Sequence, residues 1–106
     1  MAFSKHSLYK IDSQFLGGFA RAIGYSGRIE ILLTLEEEGP MRVKELAKSH
    51  PICKETLSQH LRILREAHLV IAEESFPYTY YRVHEANLAK AREAFAEFFK
   101  HFNKTG

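Results

Sequence analysis

The strongest constraint on the fold of this chain is a change of period at its centre. In ETLSQHLRILREAHLV, residues 55–70, Leu57, Leu61 and Leu64 fall at i, i+4 and i+7, one face of a helix. Directly afterwards the apolar residues alternate: LVIAEES, then Phe76 and Pro77, then YTYYRV, two strands of a hairpin. A helix that seats itself by a leucine face while crowding its other sides with Thr56, Ser58, Gln59, His60 and Arg62 has polar groups to spend on something outside the core. The hairpin that follows limits what that helix belongs to.

Upstream, Phe15, Leu16, Phe19, Ala20 and Ile23 mark a first helix, interrupted by Gly17 and Gly18 at about 1 kcal/mol each relative to alanine. Such a cost is usual where another backbone comes close. A second helix follows Ser26 as N-cap and carries Ile29, Ile31, Leu32, Leu33 and Leu35; apolar on most sides, it is expected at the centre of the core. Gly39 and Pro40 stop it, and VKELAKSH forms a short third helix. The fourth spans about Lys54 to Ala67, and a long fifth runs from Glu85 to about Phe102. Two helices joined by a short turn, the second polar outside and followed by a hairpin, define a winged helix-turn-helix: mostly α, five helices, one β-hairpin wing. With 106 residues the chain is expected to be a single domain, residues 1–106. Within it, 1–11 form an N-terminal arm, 43–67 the helix-turn-helix, 69–84 the wing and 85–103 a dimerisation helix.

Net charge of +2 identifies no partner by itself, but its distribution does more. From Met41 to Ala67 six cations (Arg42, Lys44, Lys48, Lys54, Arg62, Arg65) face three anions (Glu45, Glu55, Glu66), so the positive excess sits on the helix-turn-helix. A helix fits the major groove, where Gln59 hydrogen-bonds a base edge and Lys54 and Arg62 reach phosphate or guanine. Thr56 and Ser58 are small enough to let it approach. His60 either joins them or packs at the edge near Ile63. Lys44 and Tyr80 are further candidates for DNA contact, although alternation sends about half of the wing residues inward. Glu73 and Glu74 repel phosphate if they face it, so either the wing tip stays off the DNA or the recognition helix carries more of the binding.

Leu88, Ala91, Phe95, Phe98 and Phe102 are spaced 3, 4, 3 and 4 along the last helix, with Phe99 alongside. Such a seam packs on its own domain or on a second copy; its phenylalanines exceed what so small a domain covers, which favours a homodimer shared with Phe15 and Phe19 of the first helix. Two-fold symmetry then sets two recognition helices about 34 Å apart on an inverted repeat of double-stranded DNA.

Cys53 stands where a serine or threonine N-cap normally opens the fourth helix; it either fills the cap or, as a thiol with a lowered pKa, reacts with oxidants. A single cysteine and the lack of an apolar leader in MAFSKHSLYKID lead to the expectation of a cytoplasmic protein that no membrane holds. His50, His60 and His68 do not share a face at ligand spacing, and Glu97 with His101 makes only two ligands, so no metal or other cofactor is expected. There is no glycine-rich phosphate loop, no nucleophile with a positioned base and no paired carboxylates in a plausible cleft, so no enzyme is expected.

TLSQHLRILREAHLV followed by YYRV closely resembles the recognition helix and wing of the ArsR-type bacterial repressors. GRIEILLTL, with Arg28 at a commonly basic position, and VKELA resemble that family's preceding helices. The resemblance implies a homodimeric winged helix-turn-helix regulator, a repressor that releases operator DNA on a signal, here unknown. Four departures stand out. Arg42 and Lys44 replace the Cys-x-Cys pair of metal-sensing members, and Glu97 with His101 lacks the Asp-x-His partner of another metal class. Glu73 and Glu74 replace wing arginines, and His68 occupies the turn where glycine is usual, in a left-handed conformation. The other reading of the same pattern is a winged-helix interaction module that binds protein and no specific DNA.

Overall fold

The computed structural model describes residues 11–102; all of the expected arm except Ile11 lies outside the described residues. Five helices and one hairpin follow in the order α1 (Ser13–Ala22), α2 (Ser26–Glu38), α3 (Val43–Ser49), α4 (Lys54–Glu66), β1 (Val70–Ser75), β2 (Tyr78–Val83) and α5 (Glu85–Lys100). This is the winged helix-turn-helix architecture that the change of period implies. The fifth helix stops at Lys100, with His101 and Phe102 in a turn, slightly short of the end expected from the sequence.

The core is aliphatic. Ile31 and Leu35 of α2, Leu46 of α3, Leu57, Leu61 and Leu64 of α4, and Leu69 and Val70 entering the wing are its largest fully buried side chains. Each such burial contributes roughly 1.5–3 kcal/mol, so the leucine face of α4 is what holds the helix-turn-helix on the body. Opposite it, α1 and α5 pack together, with Phe19 and Phe95 edge to face at 5.5 Å and Lys90 Nζ 4.2 Å over the Phe15 ring.

Several expectations need correction. Ser26 is the first residue of α2 and does not cap it; Tyr25 occupies the N-cap, in extended conformation, without a side-chain hydrogen bond. Nor is α2 covered on most sides. Ile29 and Leu33 are 42% and 55% exposed and, with Phe19, Ile23, Leu32 and Leu88, line an open groove of about 590 Å³. Gly17 and Gly18 have no close neighbour: a methyl group on either would meet nothing within 4 Å. No close approach among the described residues explains them.

Two turns behave as their residues dictate. Gly39 ends α2 at φ 84°. His68 ends α4 at φ 63°, its N–H bonded to Arg65 O at 2.9 Å and that of Leu69 to Leu64 O at 2.9 Å. These are the two bonds of a Schellman motif, with histidine in the place of glycine. The hairpin pairs Val70 with Val83 through Ser75 with Tyr78. Met41, between α2 and α3, bonds Tyr81 from both sides (3.0 and 2.8 Å), so the wing is clamped to the loop ahead of the helix-turn-helix. Nothing in the alternation of the sequence pointed to that bridge. Among the described residues no helix is long and apolar enough to cross a membrane.

Candidate nucleic-acid interface

With Leu57, Leu61 and Leu64 turned inward, α4 presents Lys54, Ser58, Gln59 and Arg62 to solvent, with Thr56 and His60 half-buried at its flanks. The structure therefore brings all six of these expected residues onto the accessible sides of one helix. Arg62 is paired with Glu66 at 3.4 Å, both more than half exposed. An exposed pair one turn apart contributes only about 0.3–0.5 kcal/mol, so a phosphate outcompetes the glutamate easily. Lys44 is exposed on α3.

His60 is engaged on both its sides. Arg28, only 5% exposed, donates Nε–H to Ala22 O at the end of α1 and Nη1–H to His60 Nδ1 at 3.2 Å. A guanidinium only donates, so Nδ1 accepts and the proton of the neutral ring lies on Nε2. The other ring edge rests on α2, where a Cβ built at Gly27 would stand 3.1 Å from Nε2. Tyr25 completes the cluster: its ring lies 4.4 Å from the Arg28 guanidinium and its centroid 6.2 Å from that of His60. Partial burial and then the Arg28 charge hold the His60 pKa below the ordinary histidine value. His60 thus packs against the start of α2.

A second histidine ties the turn between α3 and α4 to the same helix. His50 is buried and its Nε2 lies 3.2 Å from the Thr34 hydroxyl, which itself donates to Glu30 O. The hydroxyl proton being spent, Nε2–H donates to Thr34.

The wing differs in character. Arg82 pairs with Glu73 at 3.0 Å, and that hydrogen bond and charge raise its pKa further, while Glu74 accepts from the Thr79 hydroxyl at 3.1 Å. Neutralisation of Glu73 across the strands removes part of the repulsion expected from the two glutamates, and the same pairing occupies Arg82. Arg42 stacks 4.3 Å from the Tyr78 ring and faces Glu45 at 3.9 Å. Tyr80 is half-buried, edge-on to Tyr78 at 6.4 Å, and Phe76 at the turn is 96% exposed.

Cys53 is the N-cap residue of α4, exposed, with no side-chain bond to the helix amides. Its Sγ lies 3.2 Å from the Thr56 hydroxyl, which pulls the thiol pKa below its usual range.

The seam along α5 divides. Ala91 is 1% exposed inside this chain and Leu88 packs on the core, so Ala91 is not available to a partner, contrary to expectation. Beyond it Phe95 and Phe98 are half-buried and Phe99 and Phe102 are 59% and 69% exposed, their rings stacked edge to face along the helix. Among the described residues no three His, Cys, Asp or Glu side chains converge as metal ligands.

A helix-turn-helix seated by leucines, with a hydrogen-bonding outer face and a hairpin beside it, defines a winged-helix DNA-binding domain of a transcription regulator. Residues 26–72 match the family of bacterial regulatory proteins named for arsR, and the whole fold has solved relatives. A possible transcriptional regulator for arsenical resistance is 30% identical, over 80% of this chain and 83% of its own, with a TM-score of 0.60. The transcriptional repressor BigR from Xylella fastidiosa is 28% identical over 89% and 92%, with a TM-score of 0.66. A homodimeric winged helix-turn-helix DNA-binding domain from Mycobacterium bovis, a possible ArsR-family regulator, shares the fold at 21% identity over 88% and 86%, TM-score 0.66. No protein of curated function matches the chain in sequence. The chain belongs to the ArsR family of bacterial transcriptional regulators.

Proposed function

We propose that this regulator is a homodimeric repressor that binds an inverted repeat by laying α4 in the major groove of each half-site. The observation that carries the reading is the division of α4: three leucines at 1% exposure or less on one side, Lys54, Ser58, Gln59 and Arg62 exposed on the other. In this reading Gln59 contacts a base edge, Thr56, Ser58 and His60 line the approach, and Lys54 and Arg62 contact phosphate or guanine. Lys44 and Tyr80 contact backbone on either side. The partner copy packs on α1 and α5 through Phe15, Phe19, Phe95, Phe98 and Phe102, with Phe99; the exposed rings at the end of α5 support this, as does the dimeric state of the Mycobacterium bovis relative. Bound at a promoter, the dimer blocks transcription, and a signal that shifts the dimer helices changes the spacing of the two readers.

The test is to select DNA fragments on the purified protein and then titrate the selected site against salt. Specific affinity falling steeply with salt supports the regulator; no retained DNA at low salt sinks it. One observation favours the second reading, a protein-binding module: Arg82 is committed to Glu73, which leaves the outer wing acidic and aromatic.

A further inference from the structure

Arg28 is placed unusually for a structural residue. Its guanidinium is buried, and among the described residues it is met by a carbonyl, an imidazole and a ring face but by no carboxylate. Burying an uncompensated charge costs several kcal/mol, and an apolar side chain of similar volume would fill the same space more cheaply. The bond to Ala22 O satisfies one acceptor at the α1 terminus. It does not explain why the remaining arm of the fork reaches 32 residues along the chain to the half of α4 that faces DNA.

We propose that Arg28 is a positioning residue for DNA recognition: acting through His60, it docks the reading half of α4 on the first turn of α2 and fixes the imidazole as an Nε2–H donor. This rests on α4 being the reading helix. Three contacts then determine the ring at once: Arg28 Nη1 at Nδ1, the bare Cα of Gly27 beneath Nε2, and the Tyr25 ring beside it. Glycine at 27 is what leaves room for the ring, since a Cβ there would stand 3.1 and 3.4 Å from Nε2 and Cδ2. Neutral His60 offers DNA one donor in one orientation. Protonation places a second hydrogen on Nδ1, the Arg28 bond is lost, and two cations face each other beside the ring of Tyr25, the N-cap of α2. The seat of α4 loosens while the added charge strengthens attraction to any DNA. Acid therefore lowers the ratio of specific to non-specific affinity, whatever it does to either alone.

The experiment measures that ratio for the full chain between pH 7.5 and 5.5, with the His60 ring titrated by NMR in the protein without DNA. Wild type is expected to lose several-fold of the ratio at pH 5.5, and His60→Gln, which keeps an amide donor but does not titrate, to show a flat profile. His60→Ala retains Arg28 and its bond to Ala22 and is expected to lose about tenfold in specific affinity at pH 7.5, the worth of one hydrogen bond to an ordered partner. In Arg28→Met the His60 pKa should rise, and specific affinity should fall about as far as in His60→Ala. A pH profile of wild type identical to that of His60→Gln overturns the inference, as does His60→Ala binding its site like wild type, a result that needs no folded Arg28 variant. If wild type binds no specific DNA at all, the regulator reading fails first and takes this inference with it.

Discussion

The helices α4 and α5 carry nearly the same apolar spacing and meet opposite fates. On α4 every leucine of the 57, 61, 64 face is buried within the chain. On α5 Ala91 alone reaches that state, and the phenylalanines beyond it grow more exposed toward the C-terminus, reaching 69% at Phe102. The difference is geometric. α4 lies between α2, α3 and the root of the wing, so its apolar face meets side chains from three elements. Among the described residues α1 is the chief cover of α5, and α1 runs for ten residues against sixteen. A periodic stripe thus tells that a helix has a partner, and the length of that partner inside the chain tells whether another chain is needed.

This comparison can be broken by mutation. Leu61→Ala should cost about 2–5 kcal/mol of stability and lower the thermal midpoint at any protein concentration, because the cavity opens inside one chain. Phe98→Ala should instead weaken the proposed dimer by roughly 2 kcal/mol, measured by sedimentation equilibrium. If it merely lowers the melting temperature of a monomer, the aromatic end of α5 is not an interface. On the outer face of α4, Arg62→Ala should reduce specific DNA affinity by about 1–3 kcal/mol and leave the melting temperature in place.

Acid should act on the inner seam. Because the His60 pKa is lowered in the folded chain, the unfolded state binds that proton more readily, and the contribution is destabilising below the ordinary histidine pKa. Stability should therefore decline as pH falls through about 6.5 toward the lowered value, and that part of the slope should be absent in His60→Gln. The smallest effect is expected at the end of α4. His68→Gly should stabilise by up to about 1 kcal/mol, since glycine takes the left-handed region without the Cβ clash.

The elements were legible because each has its own period and punctuation: leucines at helical spacing, alternation from Leu69 to Val83, Gly39 after α2. The left-handed His68 was legible too, from the family resemblance, which sets it in a turn where glycine is usual. The exposed polar face of α4 followed by subtraction once the leucines had been assigned. What remained hidden were contacts between residues far apart in sequence. Arg28 stood out only as a basic residue in an apolar helix; nothing in its neighbours announces a bond to His60 or a glycine beneath that ring. Ala91 resembled one more seam position because spacing cannot distinguish a side chain that faces α1 from one that faces a second chain. The exposure of Ile29 and Leu33 was likewise invisible, since an all-round apolar helix implies cover on all sides and this core is too small to supply it.

The turn at His68 has one consequence for motion. Its carbonyl accepts from Asn87 Nδ2 at 2.9 Å, and Asn87 in turn bonds the N-cap His84 on α5, whose own N–H reaches Leu69 O at 2.8 Å. The rear of α4 is in this way tied to the front of α5, whereas its middle rests on the start of α2 through His60. A helix of thirteen residues is about 20 Å long, so a tilt of about 3° at the tied end carries its far end by about 1 Å, a distance comparable to the tolerance of a hydrogen bond.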